Sequence, residues 1–174
     1  MRKLKTSEKK SWSKQGVFLA LLLLSLIFAA LLYGRSGTQQ WSQTSPEINL
    51  GHIFEGAINS QGRPTGFHSR PGGKDPRYAR LNKLLSPPNN SGVYTARVEI
   101  YDPQDRRWKE KFSTLFPDSM TRHQVIQAVL HAWKHRSTGN KTKWEGPSGK
   151  GFTIQGYLNR RSNINTAYPI YTKK

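Results

Sequence analysis

The 174-residue chain has no cysteine, only two methionines, and ten carboxylates against 28 lysines and arginines. Each shortage closes a class of chemistry. Without cysteine there can be no disulfide, no thiolate metal site and no cysteine nucleophile. That absence is compatible with either side of a membrane, so it does not place the protein. Two-metal nucleases need clustered carboxylates to hold their ions, and glycosidases need a working pair. The nine carboxylates after Glu8 are scattered between Glu47 and Glu145 and show neither pattern. There is no G-x-S-x-G elbow, no Walker loop and no internal repeat.

What is abundant is positive charge, +18 in all. Residues 1–14 hold Arg2, Lys3, Lys5, Lys9, Lys10 and Lys14 against Glu8, a net of +5, which leaves +13 for the remainder. That excess points to an anionic partner, nucleic acid or membrane surface. The apolar run Val17 to Tyr33 (VFLALLLLSLIFAALLY) has the length of a short membrane-spanning helix. Its flanks are asymmetric, with six basic residues before it and Arg35 just after. By the positive-inside rule the N-terminus stays cytoplasmic and the rest is exported. No clean small-x-small cleavage site stands out, so an uncleaved signal anchor is preferred over a signal peptide. The expected organisation is a basic cytoplasmic tail (1–16), a transmembrane anchor or signal peptide (17–34), a Ser/Thr/Gln/Gly-rich linker (35–50) and a folded domain (51–174).

Within that domain, Val93 to Tyr101 alternates Tyr94, Ala96, Val98 and Ile100 with Thr95, Arg97 and Glu99, the pattern of a half-buried strand. Asp102-Pro-Gln-Asp105 supplies a turn, and 107–114 returns as its partner. Phe152 to Leu158 and Ile164 to Tyr171 form a second hairpin around Asn159-Arg-Arg-Ser162, and His52 to Ile58 reads as a further short strand. One helix is clear. Thr121-x-x-Gln124 has the form of a capping box, Val125, Ile126, Val129, Leu130 and Trp133 follow at helical spacing, and Ser137 to Asn140 ends it. Gly72 to Asn90, with Pro76, Pro87 and Pro88, reads as a loop with at most one helical turn. The fold class is α+β: mostly antiparallel sheet with hairpins and one clear helix, preceded by a single N-terminal transmembrane helix.

Five histidines are present. His123, His131 and His135 belong to the helix. His131 and His135 are four apart, but HAWKH lacks the glutamate of a zinc protease, and a solvated helix face explains it. His52 and His68 lie in Gly-rich sequence on either side of Asn59-Ser-Gln-Gly62, where functional groups concentrate. Two imidazoles can serve as base and acid near neutral pH. With carboxylate chemistry set aside, phosphodiester cleavage would use these two with a lysine stabilising the anionic transition state. It would need an internal nucleophile, which RNA supplies in its 2′-OH. Lys109 and Lys111 share a strand face and are the lysine candidates. Thr166 and Tyr168 share another strand face. Tyr168, Tyr171, Trp144 and Phe67 are candidates for stacking on bases.

The segments HIFEGAINSQGRPTGFH (52–68), GVYTARVEIYD (92–102), FSTLFPDSMTRHQVIQAVLHAW (112–133), KWEGPSGKGFTIQGYL (143–158) and INTAYPIY (164–171) together resemble the bacterial branch of the EndoU endoribonuclease family, in the family's order. The combination of H-x-F-x-G, G-F-H, S-T-x-F-P and T-A-Y-P-I-Y carries the likeness. The resemblance implies a His-His-Lys centre in which His52 and His68 match the two histidines, one as base and one as acid. Lys111 is preferred over Lys109 as the lysine. It implies that Thr166 and Tyr168 contact a uracil or position the substrate, and that the product is a 2′,3′-cyclic phosphate. Some members require Mn2+, while no ligand cluster is legible here. The expected partners are RNA, the membrane through the N-terminal helix, and an inhibitor or immunity protein whose nature the residues do not specify. Toxin relatives sit at the ends of very large proteins. This chain shows an anchor and a tether, so an anchored or secreted defence, scavenging or processing nuclease is expected. The competing readings are a non-catalytic exported domain binding nucleic acid or an anionic envelope polymer, and a nuclease that also cuts DNA.

Overall fold

Alternation builds the first sheet. In a computed structural model that describes residues 40–137 and 142–173, Tyr94, Ala96, Val98 and Ile100 all point into the core from β4 (Tyr94–Asp102). The strand pairs antiparallel along its whole length with β5 (Arg107–Leu115), Tyr94 opposite Leu115 and Asp102 opposite Arg107. A further strand, β3 (Ala79–Ser86), adds to the other edge of β4 with two register shifts. It replaces most of the loop expected over 72–90. The prolines that suggested a loop flank this strand and do not interrupt it, as ladder hydrogen bonding requires. A short 3₁₀ turn spans Pro71–Gly73.

The second three-stranded sheet is antiparallel β6 (Lys143–Pro147), β7 (Thr153–Leu158) and β8 (Ile164–Pro169), with the expected hairpin joining the last two. Between the sheets in sequence lies helix α2 (Arg122–Lys134). Thr121 accepts from the Gln124 amide (3.2 Å) and the Gln124 side chain accepts from the Thr121 amide (2.9 Å), so the capping box is complete. Val125, Ala128, Val129 and Ala132 face Trp144, Ile154 and Ala167 of the second sheet. The inner face of β3–β5 encloses a second cluster around Phe67.

The segment expected as a strand from His52 to Ile58 divides differently. Helix α1 (Leu50–Phe54) forms because the Asn49 side chain accepts from the His52 amide (3.0 Å), an N-cap. Gly56, at φ +71°, ends it in the left-handed region. Only Ala57–Ile58 (β1) is extended, paired with Pro64–Thr65 (β2).

The described residues belong to a compact unit that begins at residue 39, the second of two into which the chain divides. The expected tail, the anchor at 17–34 and the start of the linker fall outside the described residues. Among the described residues no helix is long and apolar enough to cross a membrane. The second unit begins before the expected end of the linker at residue 50. Trp41 bridges to Asn49 and Ile48 to Ile164. Ile48 and Leu50 are buried, because apolar side chains at the start of α1 cover the second sheet's core.

Candidate active site

Four sequence-selected side chains converge. His52 comes from α1, His68 from the segment after β2, Lys111 from β5 and Tyr168 from β8. The His52 and His68 rings lie 6.1 Å apart, and the His68 and Tyr168 rings 5.2 Å apart. Their positions follow from backbone contacts. The Phe67 amide donates to the His52 carbonyl (2.8 Å), the His68 amide to Ile53 (2.7 Å) and the Phe116 amide to His68 (2.8 Å). Those bonds tie α1 to the 67–69 segment and that segment to the end of β5.

The approach is possible only because residue 66 is glycine. Its φ is +72°, and a Cβ there would collide with the His52 carbonyl oxygen. Phe67 follows at φ 58°, a strained conformation for an aromatic residue. Complete burial of its ring, and bonds to both its amide and its carbonyl, hold it there. Arg70 secures the far end, donating to Asp75 (2.6 Å) and Asp118 (3.1 Å). Tyr94 donates to the same Asp118 (2.6 Å).

The tautomer of His68 follows from counting hydrogens. The Ser113 hydroxyl donates to the Phe67 carbonyl (2.7 Å), so toward His68 it can only accept. The Nδ1 of His68 lies 3.0 Å from that hydroxyl and 3.1 Å from the Thr114 carbonyl. Both neighbours accept, so Nδ1 carries the hydrogen and Nε2 carries the lone pair.

Three basic groups packed together resist protonation. Burial lowers His52 to about 4, and the charge of Lys111 adds to that. His68 is held well below the ordinary imidazole value by burial first, then by Lys111 and His52. Burial lowers Lys111 itself to about 8. Its ammonium donates to the Gly66 carbonyl (2.9 Å). At neutral pH the resting site therefore holds two neutral imidazoles beside one mostly charged lysine.

Lys109 stands apart although it is only one side chain along the same strand face. Its ammonium is held by Asp102 (2.7 Å) and Asp105 (2.6 Å), and it donates to the Gly62 carbonyl (3.0 Å). Those carboxylates raise its pKa. It is committed to holding the β1–β2 hairpin against the β4–β5 turn.

Thr166 and Tyr168 lie on one face of β8. The Tyr168 hydroxyl donates to Gln155 Oε1 (2.7 Å), and the Gln155 amide nitrogen donates to Glu145 (3.0 Å). Burial raises the Tyr168 phenol to about 12. The Thr166 hydroxyl is buried and has no partner, an unmet hydrogen-bonding group beside the aromatic ring. Phe67 and Trp144, expected as stacking surfaces, are both buried in the core, and Tyr171 is half-buried. Ser113, Gly66 and Gln155 do not stand out by residue type. Ser113 and Gly66 were nevertheless legible as members of the S-T-x-F-P and G-F-H strings, while Gln155 carries no signal of its own.

Manganese prefers several oxygen donors. Among the described residues no three His, Asp or Glu side chains group together, and the imidazole pair is accompanied by a lysine. The donor set does not fit that ion. His131 and His135 are exposed, their rings 4.2 Å apart at the end of α2.

Two imidazoles and one lysine thus meet in an antiparallel α+β domain, and comparison with known families gives its class. The bacterial EndoU nuclease family matches residues 46–171, so the chain belongs to that family. It is also similar to a protein of Bacillus cereus named "Toxin", 27% identical over 124 residues, which covers 69% of this chain and 22% of that protein. The chain thus spans about a fifth of the length of the curated relative it matches. No solved structure matches it.

Proposed function

We propose that the domain is an endoribonuclease that cleaves RNA, with uridylates preferred, by attack of the 2′-OH on the adjacent phosphorus. One imidazole takes the 2′-OH proton at its ring nitrogen. The O2′–P bond forms and the P–O5′ bond breaks. The other imidazole, protonated, gives its proton to the departing O5′. The products are a 2′,3′-cyclic phosphate and a free 5′-hydroxyl. Lys111 offsets the charge that builds on the phosphoryl oxygens, while Thr166 and Tyr168 hold the base.

The observation that carries this reading is the meeting of His52, His68 and Lys111 with no carboxylate among them. An approaching phosphate supplies the missing negative charge. It offsets the repulsion from Lys111 and raises the imidazole pKa values, so that the site acquires its acidic proton when substrate arrives.

Membership of the family and the likeness to a protein named "Toxin" support nuclease action and an inhibitor or immunity protein as a further partner. The apolar run at 17–33 and its basic flank support a catalytic domain held outside the cytoplasm.

The test is incubation of the full-length chain with a uridine-containing RNA, with and without EDTA. Cleavage leaving cyclic phosphate ends is the expected result. His52→Ala and His68→Ala should each lower the rate roughly 10²–10⁴-fold while retaining RNA binding. Salt-sensitive binding with no product under any condition would leave a binding module instead.

A further inference from the structure

We propose that the solvent face of the β3–β4–β5 sheet is a stacking platform for single-stranded RNA flanking the scissile nucleotide, an inference that rests on the ribonuclease reading above. An antiparallel sheet with one face on a core usually turns polar residues outward. Here the outward positions of β4 and β5 carry Tyr101, Trp108 and Phe112, and Tyr78 stands at the entrance to β3.

Tyr78, Tyr101 and Trp108 form one row, and Phe112 stands further along β5 on the same face. Tyr101 and Trp108 are cross-strand partners and meet edge-on with centroids 5.4 Å apart. Tyr78 stacks on Tyr101 at 6.0 Å with an interplanar angle of 21°. Guanidinium groups cover both ends, Arg77 at 5.0 Å from the Tyr78 ring and Arg80 at 4.2 Å from the Trp108 ring. Tyr78 is 52% exposed and Phe112 53%, an unusual outlay of aromatic surface for packing alone. Beside Tyr78 and Tyr101 opens a cleft of about 470 Å³ with Ile58, Asn59 and Pro103 in its walls, ample for a nucleobase.

Charge selects the occupant. The two acids on the outward positions of the sheet are already paired, Glu99 with Arg80 (2.6 Å) and Glu110 with Arg97 (3.7 Å). Arg77 and Lys83 have no acidic partner among the described residues and remain for phosphates. Aromatic and guanidinium planes on an open sheet are the means by which proteins hold unpaired bases. The cleft lies at the end of β4 and joins the two faces of the sheet, with outward Tyr101 and inward Ile100 both in its walls, and Lys111 stands on the inward face. Gly56 to Asn59, one of its walls, is the backbone that leaves the His52 helix.

The test uses the full-length chain and a 2′-O-methylated oligouridylate, which cannot be cleaved, followed by fluorescence anisotropy. Tyr78→Ala should weaken binding roughly fivefold to tenfold or more, and Tyr78→Phe should stay within twofold of the parent. With cleavable substrates, Tyr78→Ala should raise KM for a long RNA and leave turnover of a uridylyl dinucleotide unchanged. An unchanged melting temperature shows that the exposed site tolerates the substitution. Equal affinity of parent and Tyr78→Ala, or no RNA binding by the parent, would overturn the platform and leave the face to a protein partner. Weakened binding by Tyr78→Ala in a chain that cuts no RNA would support the platform and sink the nuclease reading alone.

Discussion

Lys109 and Lys111 are the same residue type on the same strand face, and their neighbours give them opposite roles. Asp102 and Asp105 neutralise Lys109, whereas Lys111 is buried beside two imidazoles with no acid to compensate. A buried, uncompensated ammonium destabilises the fold. Lys111→Met should therefore raise the melting temperature by about 4 °C, as about 1 kcal/mol would in a domain of this size, while cutting activity roughly 10²-fold or more. Lys109→Met should do the reverse, lowering the melting temperature and keeping activity within a few-fold. Loss of activity in Lys109→Met with none in Lys111→Met would reverse the assignment. The histidines give a pH signature. Their folded-state pKa values lie below the ordinary 6.5, so the unfolded chain binds more protons between those values. Their contribution to stability is fully present above pH 6.5 and is lost as pH falls toward about 4, the value at which His52 titrates. Denaturant titrations across that window should show a slope that His52→Gln reduces. An unchanged slope in the variant would contradict the depressed value.

At the level of elements, the parts legible in the sequence are those whose signal is local. The alternation of Tyr94 to Ile100, the turn at Asp102 to Asp105 and the Thr121/Gln124 box are all within a few residues of the structure they specify. Thr121→Ala should cost about 1 kcal/mol, seen as a drop of about 4 °C in melting temperature, with cleavage per folded molecule unchanged. A loss of activity at full stability would mean that α2 takes part in the chemistry. The elements that escaped are those decided by distant partners. The strand β3 exists because β4 offers it an edge, and its own sequence is broken by two register shifts. The short helix α1 was masked by apolar residues that suit a strand equally well. Only the cap at Asn49 and the stop at Gly56 separate the two outcomes.

For the whole molecule, the charge of +18 and the absence of cysteine bound the range of partners through composition alone. The second unit, residues 39–174, carries the candidate site and the aromatic sheet face together. RNA binding should therefore be strongly electrostatic. Affinity for a single strand should fall roughly tenfold or more between 50 and 200 mM salt, in a log–log relation whose slope counts the phosphates contacted. A flat dependence would argue that stacking alone holds the strand.

Periodicity, capping and composition by themselves determined the α+β class, the two hairpins and the long helix, and singled out the histidine pair as candidates, because these depend on near neighbours and on chemistry that residue types disclose. Tertiary structure decided which lysine joins the histidines, that Phe67 and Trp144 are core, and that Ser113 sets the His68 tautomer. Each of those turns on a contact between residues far apart in the chain: Lys111 with Gly66, Lys109 with Gly62, Ser113 with Phe67. Packing against a distant partner changes a side chain's solvation and charge environment, and no local pattern carries that information.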